Sequence, residues 1–497
     1  MTDTSTDVRS EASSEARVVA AVQKRLFIDG AWTDAEASAT FEVLDPSTGE
    51  PLCRVADASP ADGRRALDSA VAVQHAFAAT APRARADMLM RAFHLLHERI
   101  DDLAMLMTLE MGKPLAEARG EIGYAAEFFR HFASEAVRID GGYQVAPAGG
   151  ARFLVTRQPV GPCLLITPWN FPMAMGTRKI GPAIAAGCTS VVKPAPQTPL
   201  SMLALADILR EAGVPDGVVN LVPTTRAGEV MEPLIRSGAA RKLSFTGSTA
   251  VGRTLLAQCA DKVLRTSMEL GGNAPFLVFA DADLDKAVDG ALAAKLRNSG
   301  EACTAANRFY VHEDVAERFA DLLAARMGGM SVGRGVDDGV TVGPLIDAAA
   351  RVKVQDLVED AVGHGARVLT GGSPADGPGF FYPPTVLTGV SEKARMRHEE
   401  IFGPVAAITP FRSEQDVVTA ANDTEYGLVA YVYTNDLNRA LRVAEALETG
   451  MVGLNQGVVS NPAAPFGGVK ASGLGREGGP TGIDEFLETK YVGIALP

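Results

Sequence analysis

The sequence predicts an α/β protein built on mostly parallel sheets. Three observations carry that expectation. Short apolar, β-branched runs recur from Phe153 onward, longer helical stretches separate them, and the series restarts beyond the pair Gly271–Gly272. Strands and helices in this alternation make βαβ units, in which the helix returns the chain so that the next strand pairs in parallel.

The elements follow in order. Asp29-Gly30 lies between apolar residues in Phe27–Trp32, a hairpin signal. From Asp62 to about Val137 the pattern is helical, broken near Gly112 and Pro114. No polar cluster there suggests chemistry, and these helices are expected only to pack. Strands are expected at 163–167, 189–193, 218–222 and 242–245, with helices at 200–212 and 248–260 among them. A second series opens at 274–279 and continues through 308–312 to about 455, with helices at 284–298 and 314–327. Gly-rich sequence from Gly467 to Gly482 precedes a final strand at 488–496. Open parallel sheets bind ligands beyond the carboxyl ends of their strands, so function is expected in the loops just after these runs.

Composition narrows the class. At 497 residues the chain allows two or three domains of about 150 residues each. A net charge of −13 argues against a nucleic-acid scaffold. The longest apolar run, Ile180 to Val192, falls short of the about 20 residues a bilayer requires. The 5 cysteines are too scattered for a disulfide framework, and the 7 histidines form no metal-binding pattern, so no metal is expected. His94 and His97 read as a surface or core pair. Residues 1–24 read as a disordered tail on a cytoplasmic protein.

Several local patterns bear on chemistry. Gly473-Leu-Gly475-Arg-Glu-Gly478 matches GxGxxG but follows a polar segment and opens no amphipathic helix, so it reads as a backbone-bending loop. Phe245-Thr-Gly247-Ser248 is a better phosphate cradle, since a strand ends there and a helix begins. Simple capping by Ser248 is the equal alternative. Cys53, Cys163, Cys188 and Cys259 lie among apolar residues and read as core. Cys303 lies in a loop of small and polar residues with Arg297 and Arg308 nearby, a setting that favours the reactive thiolate, with an inert loop cysteine as the alternative on this clue alone. Asn170, in Pro168-Trp-Asn-Phe-Pro172, and Glu269, before the glycine pair, supply an amide and a carboxylate at separate strand ends. Oxyanion donor, base and nucleophile are then all present.

PWNFP at 168–172, KPAPQTP at 193–199, FTGS at 245–248, MELGG at 268–272, GEACTAANR at 300–308, EEIFGPV at 399–405 and PFGGVKASGLGREGG at 465–479 together resemble the aldehyde dehydrogenase superfamily, from about Phe27 to the C-terminus. The resemblance implies a Rossmann-like NAD(P)-binding domain at 25–141 and 161–271, an α/β catalytic domain at 272–480, and a small β oligomerisation arm at 142–160 and 481–497. It implies a homodimer or homotetramer. Cys303 matches the nucleophile, Glu269 the general base and Asn170 the oxyanion donor, acting with the Cys303 backbone N–H.

For the cofactor, NADP or NAD, the resemblance assigns Lys193 to the adenosine ribose, Ser248 to the pyrophosphate and Glu400 to the nicotinamide ribose, with Phe402 beside it. Thr167, Pro168, Trp169, Gly247 and Leu270 complete that set. NAD-preferring relatives often carry a Glu where this chain has Pro196, so NADP is expected to be permitted. A role for Pro196 in loop shape alone stays open. Arg178, Arg297, Ser460 and Phe466 resemble the carboxylate-binding set of succinate-semialdehyde dehydrogenases. The substrate implied is an aldehyde bearing a carboxylate, either succinate semialdehyde or another ω-carboxy-aldehyde such as glutarate semialdehyde. A surface or ion-pair role for the two arginines is the alternative. Ala305 stands where that subgroup often has a second cysteine, so no disulfide switch is expected. A scaffold without turnover and a cysteine esterase are the readings from other classes.

Overall fold

The computed structural model describes residues 14–495. Residues 14–21 are helical (α1), with Val18 buried and Arg17 paired to Asp102 at 2.7 Å. The disordered tail expected over 1–24 is therefore corrected from residue 14 onward, residues 1–13 lying outside the described residues. Val18, Val19 and Val22 give this short segment an apolar face that packs on the core.

Strands β1 (Leu26–Ile28) and β2 (Ala31–Thr33) form the expected hairpin. Asp29 and Gly30 turn it with φ of 54° and 73°, as a two-residue turn of this hand requires. After β3 (Thr40–Leu44) and β4 (Pro51–Ala56) come the helices α2 (Pro60–Ala78), α3 (Pro82–Glu98), α4 (Ile100–Met111) and α5 (Leu115–Ala136). Then follow β5 (Gly142–Val145), β6 (Ala151–Pro159), β7 (Cys163–Ile166), α6 (Ala174–Ala186), β8 (Ser190–Lys193), α7 (Pro199–Glu211) and β9 (Val219–Leu221). The first unit continues with α8 (Ala227–Arg236), β10 (Lys242–Thr246), α9 (Thr249–Ala260) and β11 (Arg265–Glu269).

The second unit opens with β12 (Ala274–Val278), α10 (Leu284–Leu296), β13 (Ala306–His312) and α11 (Glu313–Gly328). It proceeds through α12 (Ala348–Gly363), β14 (Arg367–Thr370), β15 (Thr385–Thr388), β16 (Val405–Phe411) and α13 (Glu414–Asn422). Strands β17 (Tyr426–Gly427) and β18 (Val429–Tyr433), helix α14 (Leu437–Ala446) and strands β19 (Met451–Leu454), β20 (Val469–Lys470), β21 (Gly473–Leu474) and β22 (Leu487–Ala495) complete the chain.

The first sheet runs β2-β1-β9-β8-β7-β10-β11-β21, and β7 to β11 are parallel. Its order reverses between β7 and β10. Two loops part there, opening a crevice at the carboxyl ends of the strands, where such sheets bind ligands. The second sheet runs β14-β15-β16-β13-β12-β18-β19. The chain crosses between the sheets at Gly271–Gly272, as expected. It also returns: β21 pairs antiparallel with β11, so the segment read as a bending loop closes the first sheet. Strands β22, β6 and β5 form a separate small sheet with exposed apolar side chains at Tyr143, Val145 and Tyr491.

The helices α2 to α5 do more than pack, which corrects the expectation for them. Helices α6 and α7 have no side-chain cap of their own. Glu121 of α5 accepts from Met173 and Ala174 N–H at 3.0 and 3.1 Å, and Glu110 of α4 accepts from Leu200 and Ser201 N–H at 2.7 and 2.8 Å. Free N–H groups at a helix start need such acceptors when water is excluded. Glu110→Ala would strand two buried donors. It is expected to lower stability by about 2–4 kcal/mol, read as a reduced urea midpoint; an unchanged midpoint would remove the capping role.

Candidate active site

The loops at the switch point carry most of the expected site. Thr167, Pro168, Trp169 and Asn170 leave β7 in succession, Gly247 and Ser248 follow β10, and Glu269 ends β11. They converge on two adjoining cavities. One, of about 230 Å³, is lined by Asn170, Ser248, Glu269, Leu270, Cys303, Glu400 and Phe402. The other, of about 350 Å³, is lined by Thr167, Lys193 and Pro196. Pro168, Trp169 and Gly247 border both, so every residue expected to touch the cofactor lies along one trough. Ser248 caps α9, accepting from Val251 N–H at 3.5 Å.

Cys303 enters from the other unit. It precedes β13, at the amino end of a strand. The rule that function follows strand ends holds for Asn170, Ser248 and Glu269 and is corrected for the thiol. The loop that delivers it is strained, with φ of 55° at Asn298 and 54° at Ser299. Left-handed backbone at such residues costs on the order of 1–3 kcal/mol each. Specific bonds hold it. Asn298 N–H donates to Glu117 Oε2 at 2.6 Å, and Asn298 Nδ2 donates to Asn170 O and Glu301 O at 3.0 Å each. Ser299 Oγ donates to Gly343 O at 3.1 Å.

The same bonds fix Asn170. Its carbonyl also takes Lys113 Nζ at 2.8 Å, and its Nδ2 donates to Glu301 O at 3.0 Å. One amide hydrogen is thereby used and the other is left for a ligand. Gly272 runs so close to this loop that a Cβ would sit 2.7 Å from Cys303 O. The pair Gly271–Gly272 serves close approach more than hinge bending.

Burial dominates the electrostatics. Desolvation pushes the Cys303 thiol up to about 12, against the smaller pull of Arg178 and Arg297. This corrects the expectation of a favoured thiolate. Arg308 gives no help, since it donates to the carbonyls of Asn273, Ala420 and Ala421. Both carboxylate oxygens of Glu269 are buried without a partner among the described residues. Burial, then the charge of Glu477, holds its carboxyl well above the usual range. Burial likewise raises Glu400 to about 7 and lowers Lys193 to about 8.

The four expected substrate residues line neither cavity. Arg178 stacks on the Phe466 ring, 4.1 Å from its centroid, and Arg297 lies 4.7 Å from that of Phe171. Arg178 is 1% exposed, and its Nε donates to Glu477 Oε2 at 2.5 Å, so it carries the ion pair that stood as the alternative to a substrate role. Its Nη2 is buried with no partner among the described residues. Ser460 makes no side-chain hydrogen bond among the described residues. Lys179 also pairs with Glu477 and donates to Ser244 Oγ at 3.0 Å.

Sequence reasoning missed Glu477, Lys113, Glu117, Glu121 and Lys353. Lys353 lines the first cavity yet reads in sequence as one more solvated helix lysine. Glu121 carried a signal, for it falls between Ala118 and Ala125 on the buried face of α5. Glu477 carried none beyond its place in a glycine-rich segment.

Comparison with known proteins extends the geometry to the whole chain. The aldehyde dehydrogenase family matches residues 32–492. A succinate-semialdehyde dehydrogenase of Paenarthrobacter nicotinovorans is 58% identical over 446 residues, covering 90% of this chain and 99% of the relative. A glutarate-semialdehyde dehydrogenase of Pseudomonas putida is 50% identical over 474 residues, covering 95% and 98%. A crystal structure of an E. coli NADP-dependent enzyme superposes with a TM-score of 0.94 at 51% identity, over 96% of this chain and 98% of that one. Because these matches span both sheets and the trough between them, the chain belongs to the aldehyde dehydrogenase family.

Proposed function

We propose that this aldehyde dehydrogenase oxidises succinate semialdehyde to succinate with NADP or NAD. The observation that carries the substrate is the Arg178 guanidinium. It is buried, held on one edge by Glu477, and left unpartnered at Nη2, and its charge acts on Glu269 and Cys303. A buried cation with an unused donor recruits an anionic ligand. Arg297, over Phe171 at the cavity wall, is the second cation of the pair. Glutarate semialdehyde is the alternative, favoured by the glutarate-semialdehyde relative. One methylene alters discrimination by only about 1–3 kcal/mol.

The trough suits a dinucleotide. Thr167 and Thr246 keep buried hydroxyls with no partner among the described residues along it, and Lys193 lies in it with burial alone shifting its ammonium. Lys193 and Ser248 would hold the phosphorylated half and Glu400 the nicotinamide ribose. When bound, the nicotinamide supplies the hydride acceptor. The chain's own residues do the rest. Cys303 attacks the aldehyde carbon as thiolate, and the Asn170 amide with the Cys303 N–H holds the oxyanion, each donor contributing about 2.7–4 kcal/mol. The adduct is a thiohemiacetal, and the thioester left once its carbon has given up a hydride is hydrolysed by water that Glu269 deprotonates. Pro196 puts no carboxylate at its own position beside Lys193, and Glu232, which lines the same cavity, is paired with Arg236, which permits a 2′-phosphate there.

The domain boundaries and the arm at 142–160 and 481–497 belong to the same reading, the exposed apolar residues of β5 and β22 covering one another's copies in a cytoplasmic dimer or tetramer.

Three measurements test this reading. Arg297→Met is expected to lower kcat/KM for succinate semialdehyde about 10- to 100-fold while sparing a neutral aliphatic aldehyde; equal losses would assign Arg297 to packing on Phe171. Pro196→Glu should cut kcat/KM for NADP about tenfold or more and leave NAD little changed, and a parallel fall with both would leave only a loop role. Alkylation of Cys303 by iodoacetamide without nucleotide should climb about tenfold per pH unit between 7 and 10, because a raised thiol yields thiolate only at high pH. A plateau from pH 8 would contradict the dominance of burial.

A further inference from the structure

Helices α5 and α6 lie side by side and run the same way. Glu121 of α5 caps the start of α6, and a Cβ on Gly181 near its end would sit 3.2 Å from Phe132 and 3.3 Å from Phe129. The register between those two points sets Tyr124, one turn past Glu121, against the stretch Met175 to Arg178. Met175 lines the reactive cavity, and Arg178 follows it by one turn of α6. A helical side chain leans toward the start of its helix, which brings the Arg178 guanidinium back toward Tyr124.

Tyr124 reaches both arginines. Arg297 lies 5.8 Å from its ring centroid, and after burial and Glu477 its phenol is the group that acts most on Arg178. The ring is half-buried and meets Phe128 edge-on at 4.9 Å. Packing accounts for the ring and leaves the oxygen unexplained, because a phenylalanine would pack as well. That oxygen makes no side-chain hydrogen bond among the described residues. Of the rings that face the two guanidiniums, Tyr124, Phe171 and Phe466, Tyr124 alone carries a donor.

We propose that Tyr124 is a substrate-specificity residue, its hydroxyl donating to the carboxylate of the aldehyde between Arg178 and Arg297. The proposal rests on the carboxylate reading of those arginines. The Nε edge of Arg178 is taken by Glu477, so the guanidinium meets an incoming carboxylate from one side. A carboxylate has about four lone-pair directions to fill, and the phenol supplies a donor from the α5 side. The electron-rich face of the ring steadies Arg297, while the hydroxyl adds a charge-assisted bond that a neutral aldehyde has no group to accept.

Tyr124→Phe in the full chain removes one oxygen and keeps the ring. Its kcat/KM is measured with succinate semialdehyde and with butyraldehyde, which has the same carbon skeleton without the acid. The semialdehyde should lose about 10- to 100-fold, carried by KM, and butyraldehyde several-fold less. Inhibition by succinate, read in parallel, should weaken by a similar factor. A loss below threefold with the semialdehyde would overturn the proposal, as would equal losses with the two aldehydes or unchanged inhibition by succinate. Arg297→Met separates the two readings. A charge-selective loss there, with none in Tyr124→Phe, removes Tyr124 alone; no selectivity in either variant sinks the carboxylate reading itself.

Discussion

One carboxylate, Glu477, neutralises two cations that the fold has taken out of water, and the reactive cavity depends on that pairing. Arg178 and Lys179 are adjacent on α6 and essentially sealed, so neither can be hydrated. Removing one member of such a set leaves an uncompensated buried charge, a loss of about 3–5 kcal/mol. The pairing also fixes where charge is felt. Arg178 lowers both the Cys303 thiol and the Glu269 carboxyl, while Glu477 raises Glu269, each against a larger effect of burial. A segment near the C-terminus therefore adds its charge to Glu269 and holds the guanidinium that acts on Cys303.

Geometry at the cavity is held by the same economy of few groups. The carbonyl of Asn170 receives Lys113 and Asn298 together, which ties the loop after β7 to the strained loop before Cys303. Glu117 from α5 closes that arrangement from below. Positive φ at Asn298 and Ser299 persists because its neighbours over-determine it, and the result is a thiol placed within one cavity with the Asn170 amide. Such placement ahead of substrate spares the reaction the entropy of orienting these groups.

Much of this was legible in the sequence, and the remainder was hidden for a physical reason. Strand and helix alternation, the Asp29-Gly30 turn and the crossover at Gly271–Gly272 are local patterns, and all appear where they were expected. Cys303, Asn170 and Glu269 were found through the company they keep in short motifs. What sequence does not give is distance between elements. Glu110 and Glu121 cap helices that lie far along the chain, and Glu477 reaches α6 from nearly three hundred residues away. The thiol's state was misjudged because positive residues nearby in sequence were weighed and desolvation was not. Arg308, five residues from Cys303, turned out to serve the end of α13.

Burial that suppresses both the thiolate and the Glu269 carboxylate gives the resting site little net charge beyond its guanidinium. An unpaired thiolate or carboxylate in the same place would be expensive by several kcal/mol, so neutrality favours folding. It also disfavours the reactive forms, which sets stability against turnover at the same two atoms. The cations resolve that opposition in part. Arg178 and Arg297 make the thiolate less costly without creating it, and an arriving anion on Arg178 Nη2 would satisfy a donor that has no partner among the described residues. The site is thus poised to be completed by ligands.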